Sequence, residues 1–251
     1  MNQILVTKKL YVTPELKRKK KIYKFDFIIS IFLILILTSL YIYAEYDRNK
    51  GEATSQQLLS EANEIIGTDN TIAQDDILLV VLNGTEEDEV IEPQDTPSVA
   101  ELNEKAEIKT TDSGYSYKII ATVDIPSIGV NYTVLQGLTG SLEETEALLK
   151  ISPVKYHGHD PNEVGNFCIV GHNYRNSKFF SKVPNMQIGD TVNLTDLTGR
   201  TLTYEVYDKH TVDPSDTRDT TQLTGGKKEL TLITCTDDSK LRVVVRCREV
   251  K

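Results

Sequence analysis

Residues 27–44 (FIISIFLILILTSLYIYA) form an uninterrupted run of 18 residues with no charged side chain. Only Ser30, Thr38 and Ser39 in it are clearly polar. As a helix the run would be about 27 Å long, close to the roughly 30 Å hydrocarbon core of a bilayer. It is apolar round its whole circumference, which argues against a helix of a soluble domain. Tyr41 and Tyr43 stand at one end, where interfacial aromatics are favoured. A basic cluster, residues 17–24, precedes it, and acidic residues follow. The excess of Lys and Arg on the N-terminal side places residues 1–26 in the cytoplasm and everything after Ala44 outside. A cleaved signal peptide would have a shorter apolar core and small residues before its cleavage point, whereas Ile42 stands two before Ala44. The expectation is an uncleaved, single-pass plasma-membrane anchor over 27–44 behind a cytoplasmic basic segment, 1–26.

Charge is distributed unevenly beyond the anchor. Residues 45–116 hold four basic against eighteen acidic side chains, while 117–251 are close to balanced. No segment outside the N-terminus is basic enough for a nucleic-acid partner. The stretch 45–116 therefore reads as an extracellular acidic linker, with Glu86, Glu87, Asp88 and Glu89 followed by Pro93 and Pro97 as a solvated spacer. Within it, Leu58, Leu59, Ala62, Ile65 and Ile66 fall at helical spacing, predicting a short amphipathic helix over about 55–66. The brief apolar run 77–82 is the alternative candidate for a lid.

From Tyr117 the texture changes. Apolar, β-rich runs recur at 117–125, 132–136, 166–170, 191–194, 202–210, 229–235 and 241–250, separated by turn signals. Seven such runs predict an all-β barrel or sandwich for 117–251. Residues 142–149 (LEETEALL) predict the clearest helix, with Ser141 as N-cap and acids in its first turn.

Three residues could carry chemistry. His172 follows an apolar strand, Cys235 ends another, and Arg242 begins the next after a polar turn, 236–240. A hairpin there makes Cys235 and Arg242 neighbours. A thiolate attacks carbonyls well when its pKa is lowered by nearby positive charge. A His donates a proton to a leaving amine, and a cationic Arg stabilises the oxyanion of a tetrahedral intermediate. Such a trio performs acyl transfer with no metal and no cofactor. Arg246 is a second candidate for the cation, four residues on and on the same strand face. His157 and His159 flank Gly158 with no further ligand at metal spacing, and His210 ends a predicted strand. Cys168 and Cys247 lie in apolar runs and read as packing residues, with a disulfide between them as the alternative. A papain-like hydrolase would place its Cys near a helix N-terminus with the His downstream, the reverse of the order here.

The same residues resemble a known family. Thr231-Leu232-Ile233-Thr234-Cys235 looks like the TLxTC signature of sortases. Gly171-His172-Asn173 resembles their catalytic His segment, Arg242-Val243-Val244-Val245 the Arg opening their last strand, and Asp124-Ile125-Pro126-Ser127-Ile128 their early IP strand. The resemblance implies an eight-stranded sortase-type β-barrel with short helices on the outer face of a Gram-positive membrane. It implies cleavage of a C-terminal LPxTG-like sorting motif between Thr and Gly, and transfer to an amine of a cell-wall precursor or pilin lysine. The partners would be surface proteins bearing that motif. By the match, Cys235 is the nucleophile, His172 the general acid and Arg242 the oxyanion-stabilising cation, while Thr234 lines the substrate groove. The short polar 213–228 segment and the lack of an Asp-Pro-aromatic motif before Tyr117 point to a class A- or D-like member. Asp160 and Glu163 do not match the calcium-binding pattern of some class A members. The alternatives are a catalytically silent barrel that binds cell-wall ligands, and a pilus-assembly sortase.

Overall fold

The computed structural model describes residues 14–74 and 97–250; the 77–82 run, the lid candidate, lies outside them. The chain divides into two compact units, Met1–Asn49 and Lys50–Lys251. One long helix, α1 (Pro14–Gln74), contributes to both. In the first unit the apolar run is helical and none of it is buried. A helix without a protein partner must satisfy its polar side chains from its own backbone. Ser30 donates to the Asp26 carbonyl at 2.8 Å and Thr38 to that of Ile34 at 2.7 Å. This helix is long and apolar enough to cross a membrane, which fits single-pass anchoring.

The second unit is built on a closed β-barrel. After α2 (Val99–Lys105) come β1 (Lys109–Thr110), β2 (Ser116–Ile125) and β3 (Val130–Gly137). Helix α3 (Leu142–Leu149) leads to β4 (Val154–His157), β5 (Gly165–Val170), β6 (Thr191–Asp196), β7 (Thr201–Val212), β8 (Lys228–Cys235) and β9 (Arg242–Glu249). The strand order is β1-β2-β3-β4-β5-β8-β9-β7-β6, and pairing of β2 with β6 closes the eight strands β2–β9, leaving two-residue β1 as an outlier on β2. The all-β, eight-stranded expectation holds. The eighth strand, unseen in the sequence pattern, is β4: four residues set between Pro153 and the polar Gly158-His159-Asp160 loop.

Strand alternation sorts side chains between the interior and the outer wall. Leu230 and Leu232 of β8, Val245 and Cys247 of β9, and Phe167 and Ile169 of β5 join the central cluster with Phe179, Phe180 and Met186. The residues between them, Thr231, Ile233 and Cys235 among them, therefore face outward. Helix α3 forms as predicted, with the Ser141 hydroxyl accepting from the Glu144 amide at 3.1 Å. The buried Glu144 carboxylate folds back to accept from the amides of Leu138, Thr139 and Gly140, fixing the turn that enters the helix.

The amphipathic stretch expected over about 55–66 of the linker lies within α1, while the acidic run 86–89 lies outside the described residues. Leu58, Leu59, Ala62 and Ile66 are buried on one stripe of α1, while Ile65 is 40% exposed. Leu58 and Ala62 pack with Tyr117, Ile119, Leu135, Leu148, Leu149 and Val154 in a second cluster on the barrel's outer wall. Gly51 lies so close to the Lys150 carbonyl that a Cβ would collide with it. The acids of the docked stretch are accommodated: Glu61 pairs with Lys109 of β1, Glu52 accepts from the Tyr132 hydroxyl, and Glu64 is exposed. Apolar spacing, not overall acidity, decides where this part of the chain sits.

Candidate active site

Strands β5, β8 and β9 lie side by side, and one end of this group carries the three predicted residues. β5 and β8 are parallel, in register up to Val170 opposite Ile233. Just past that pair, the Gly171 amide donates to the Ile233 carbonyl at 3.0 Å, and the Thr234 hydroxyl donates to the Gly171 carbonyl at 2.8 Å. His172 therefore leaves β5 at the level where Cys235 ends β8. β8 and β9 are antiparallel, and Cys235 opposite Arg242 is their last pair. Directly opposed side chains project from the same face of a sheet. The intervening turn is tied by the Thr236 amide to the Leu241 carbonyl at 3.0 Å and by the Thr236 hydroxyl to Asp238 at 2.6 Å.

The environments of the three thiols differ. All are free; Cys168 and Cys247 are buried and Cys235 is half-buried. Burial pushes the Cys168 thiol up to about 12 and raises that of Cys247 as well. Those two stay protonated and closed to substrate. Burial also lowers the pKa of His172, with a smaller opposing pull from Glu146, so its imidazole holds the neutral form over more of the pH range.

The two candidate cations separate just as clearly. Arg246 is committed to Glu229 at 3.0 Å and to Asp219 at 3.8 Å. Arg242 makes no ion pair within 4 Å among the described residues, and its guanidinium donates to the carbonyl of its neighbour Leu241 at 3.3 Å. A guanidinium held in no ion pair keeps donors for an incoming oxygen.

Thr234 differs from its expected place. Alternation turns its side chain inward, it is 1% exposed, and its hydroxyl is spent on Gly171. It ties the end of β8 to the His172 segment, and its buried side chain offers no open surface. His157 and His159 are exposed and line a cavity of about 440 Å³ with Gln136, Glu144, Tyr156 and Gln222. His210 is held between Asp208 and Asp219 at 3.1 and 2.9 Å. Asp160 is occupied by Asn103 and Lys155, and Glu163 by Arg200.

A family model for the sortase domain matches residues 123–250. The chain belongs to the sortase family. Among solved structures, a sortase D5 transpeptidase from Clostridium perfringens is 31% identical, with 53% of this chain and 80% of that chain covered and a TM-score of 0.46. Sortase C-1 from Actinomyces oris is 26% identical, with 52% and 73% covered and a TM-score of 0.45. A lid mutant of sortase A from Corynebacterium diphtheriae is 23% identical, with 78% and 96% covered and a TM-score of 0.47. No match was found among curated proteins.

In this sortase the segment after His172 holds more than the sequence reading assigned. Gly171 is pressed against Phe180, and a Cβ there would meet the ring at 2.5 Å. The His172 carbonyl accepts from the Phe180 amide at 3.1 Å. The His172 and Tyr174 rings lie 5.0 Å apart, Tyr174 meets Phe179 edge-on at 5.6 Å, and Phe179 stacks on Tyr132 at 5.2 Å. The Tyr132 hydroxyl donates to Glu52 of α1 at 3.0 Å. Asn173, the third residue of the Gly171-His172-Asn173 segment, reaches across to the backbone of Cys235. Its residue type is polar wherever it sits, so only the folded loop shows what it touches.

Proposed function

We propose that this sortase is a cell-surface cysteine transpeptidase that cuts an LPxTG-like sorting motif between Thr and Gly and passes the acyl group to an amine. The amine belongs to a cell-wall precursor or a pilin lysine. Residues 117–251 are the catalytic domain, 27–44 the membrane anchor, 1–26 the cytoplasmic segment, and 45–116 the outer connection, part of it docked on the barrel. The subclass is A- or D-like. The observation that carries this reading is the cross-strand pairing of Cys235 with Arg242, beside a His172 segment hydrogen-bonded to the same strand end.

The chemistry follows from these positions. His172, held neutral by burial, takes the proton of the Cys235 thiol. The thiolate attacks the Thr carbonyl carbon, and the carbonyl electrons move onto oxygen. Arg242 stabilises that oxyanion with unspent guanidinium donors. The intermediate collapses, the C–N bond breaks, and the imidazolium protonates the departing Gly amine. The acyl group remains on Cys235 as a thioester. An incoming amine attacks it, loses a proton to His172, and expels the thiolate. Thr234 supports this geometry through Gly171.

The test is transfer. The full-length protein in detergent, given an LPxTG peptide and a primary-amine acceptor, should release the Gly-containing fragment and form the amide-linked product. Neither product on any sorting-motif peptide would sink the reading and favour the silent, ligand-binding barrel.

A further inference from the structure

Asn173 joins the two halves of the site through one side chain. Its Nδ2 donates to the Cys235 carbonyl at 2.9 Å and to the Asp237 carboxylate at 3.0 Å. Its Oδ1 accepts from the Arg175 amide at 2.9 Å, which fixes which end of the amide is which. Arg175 adds a parallel tie, donating from its guanidinium to the Ser239 hydroxyl at 3.0 Å. On its other side the segment is anchored to the barrel, because the His172 carbonyl takes the Phe180 amide and Asn173 bridges Phe179. The main chain of His172 is thus tied to the 179–180 segment, and Asn173 carries the link between the His172 segment and β8 one residue past the Gly171–Ile233 and Thr234–Gly171 bonds, to the carbonyl of Cys235 itself.

Asn173 and Asp237 both reach solvent, so water would satisfy either one if the contact were absent. The bonds are not needed to rescue buried polar groups. What they add is a fixed separation between the strand end that bears the nucleophile and the loop that bears the proton carrier. Chemistry between such groups is sensitive to that separation, and a displacement of about 1 Å can cost about 100-fold in rate.

We propose that Asn173 is a positioning residue of this sortase, setting the alignment of Cys235 with His172 by clamping the Cys235 carbonyl and Asp237 to the His loop. This rests on the catalytic reading above. Asn173 touches neither the reacting atoms nor the substrate; it acts through the backbone of Cys235.

The experiment uses the full-length protein in detergent, an LPxTG peptide, and iodoacetamide as a probe of the Cys235 thiol. Asn173→Ala should lower kcat by about 10- to 100-fold and leave KM within about threefold. The pH profile of Cys235 alkylation should move, because the strand end that bears the thiol is no longer tied by Asn173 to the loop that bears His172. In Asn173→Asp the carboxylate cannot donate to Cys235 and repels Asp237, so the loss should be at least as large. Adding Asp237→Asn to that variant supplies a donor from the other side and should recover about tenfold of kcat. A loss that appears only in KM, or a kcat and alkylation profile within about twofold of the parent in both single variants, overturns the proposal. Should Asn173→Ala fail to fold, Asn173→Asp and its double variant decide the matter. Should the parent fail to turn over peptide, the function reading falls while the alkylation profile still judges the clamp.

Discussion

Cys235 and Arg242 are the terminal cross-strand pair of the β8–β9 hairpin, so thiol and guanidinium reach one face from opposite sides of a single turn. Nothing beyond a register of seven pairs is needed to put them there. The consequence is that Arg242 and Arg246 of β9 should behave differently.

Arg242→Ala should lower kcat/KM by about 100-fold or more, as expected for removal of one oxyanion donor, and leave the unfolding midpoint near the parent's. Arg246→Ala should do the opposite. It strips Glu229, which is 5% exposed, of one of its two arginine partners, so stability falls by a few kcal/mol. Peptide turnover and thermal unfolding measured on both variants check this. An equal loss of activity in the two would mean that Arg242 has no special place.

The thiols should separate by reactivity. Under native conditions iodoacetamide should add once per chain, at Cys235, because Cys168 and Cys247 are buried with thiols raised by desolvation. In denaturant three adducts should form. Intact mass followed by peptide mapping reads both numbers, and native labelling of Cys168 would contradict the burial described here.

Much of this was legible beforehand, for identifiable reasons. The barrel strands announced themselves where apolar, β-rich runs stood between turn signals, and Ser141 capped its helix because a hydroxyl before acidic residues satisfies free amides in any context. The hairpin linking Cys235 to Arg242 is local, so spacing alone placed it. β4 escaped because its last residues, Tyr156 and His157, run straight into the polar Gly158-His159-Asp160 loop. Thr234 was misplaced because a residue beside a nucleophile points to the opposite face of its strand, here into the core. The docking of 50–67 was half visible: its apolar stripe showed, but the surface it covers, from Tyr117 to Val154, is assembled from distant strands. The reach of Asn173 to Cys235 spans 62 residues of chain and had no signal in either segment.

Stability should depend on pH through His172. Burial lowers its pKa from the usual 6.5, so the folded state resists protonation more than the unfolded chain does. The unfolded chain then binds more protons below about pH 6.5, and stability falls as pH drops from there toward the folded value, while above that window the term is constant. Comparing the unfolding midpoints of the parent and His172→Gln from about pH 7.5 to about pH 5 isolates this term. The parent should lose stability relative to the variant on acidification. A difference that does not change with pH would contradict the burial effect.

The docked part of α1 should matter to the barrel. Leu58 is 5% exposed in the outer cluster, and Leu58→Ala should destabilise the protein by about 2–4 kcal/mol. Leu142 is 72% exposed, and Leu142→Ala should change stability by less than about 0.5 kcal/mol. Chemical denaturation of the two variants tests whether 50–67 belongs to the folded unit. Equal and small effects would return the segment to the status of a spacer.

The central claim is that the carbonyl carbon of a sorting motif becomes bonded to the sulfur of Cys235, between His172 and Arg242. Intact mass of the full-length protein, quenched in acid during turnover of an LPxTG peptide without acceptor, measures this directly. The account predicts an adduct with the mass of the acyl fragment, mapped to Cys235, released by hydroxylamine and absent in Cys235→Ala. An adduct on another residue, or turnover that persists in Cys235→Ala, would contradict it.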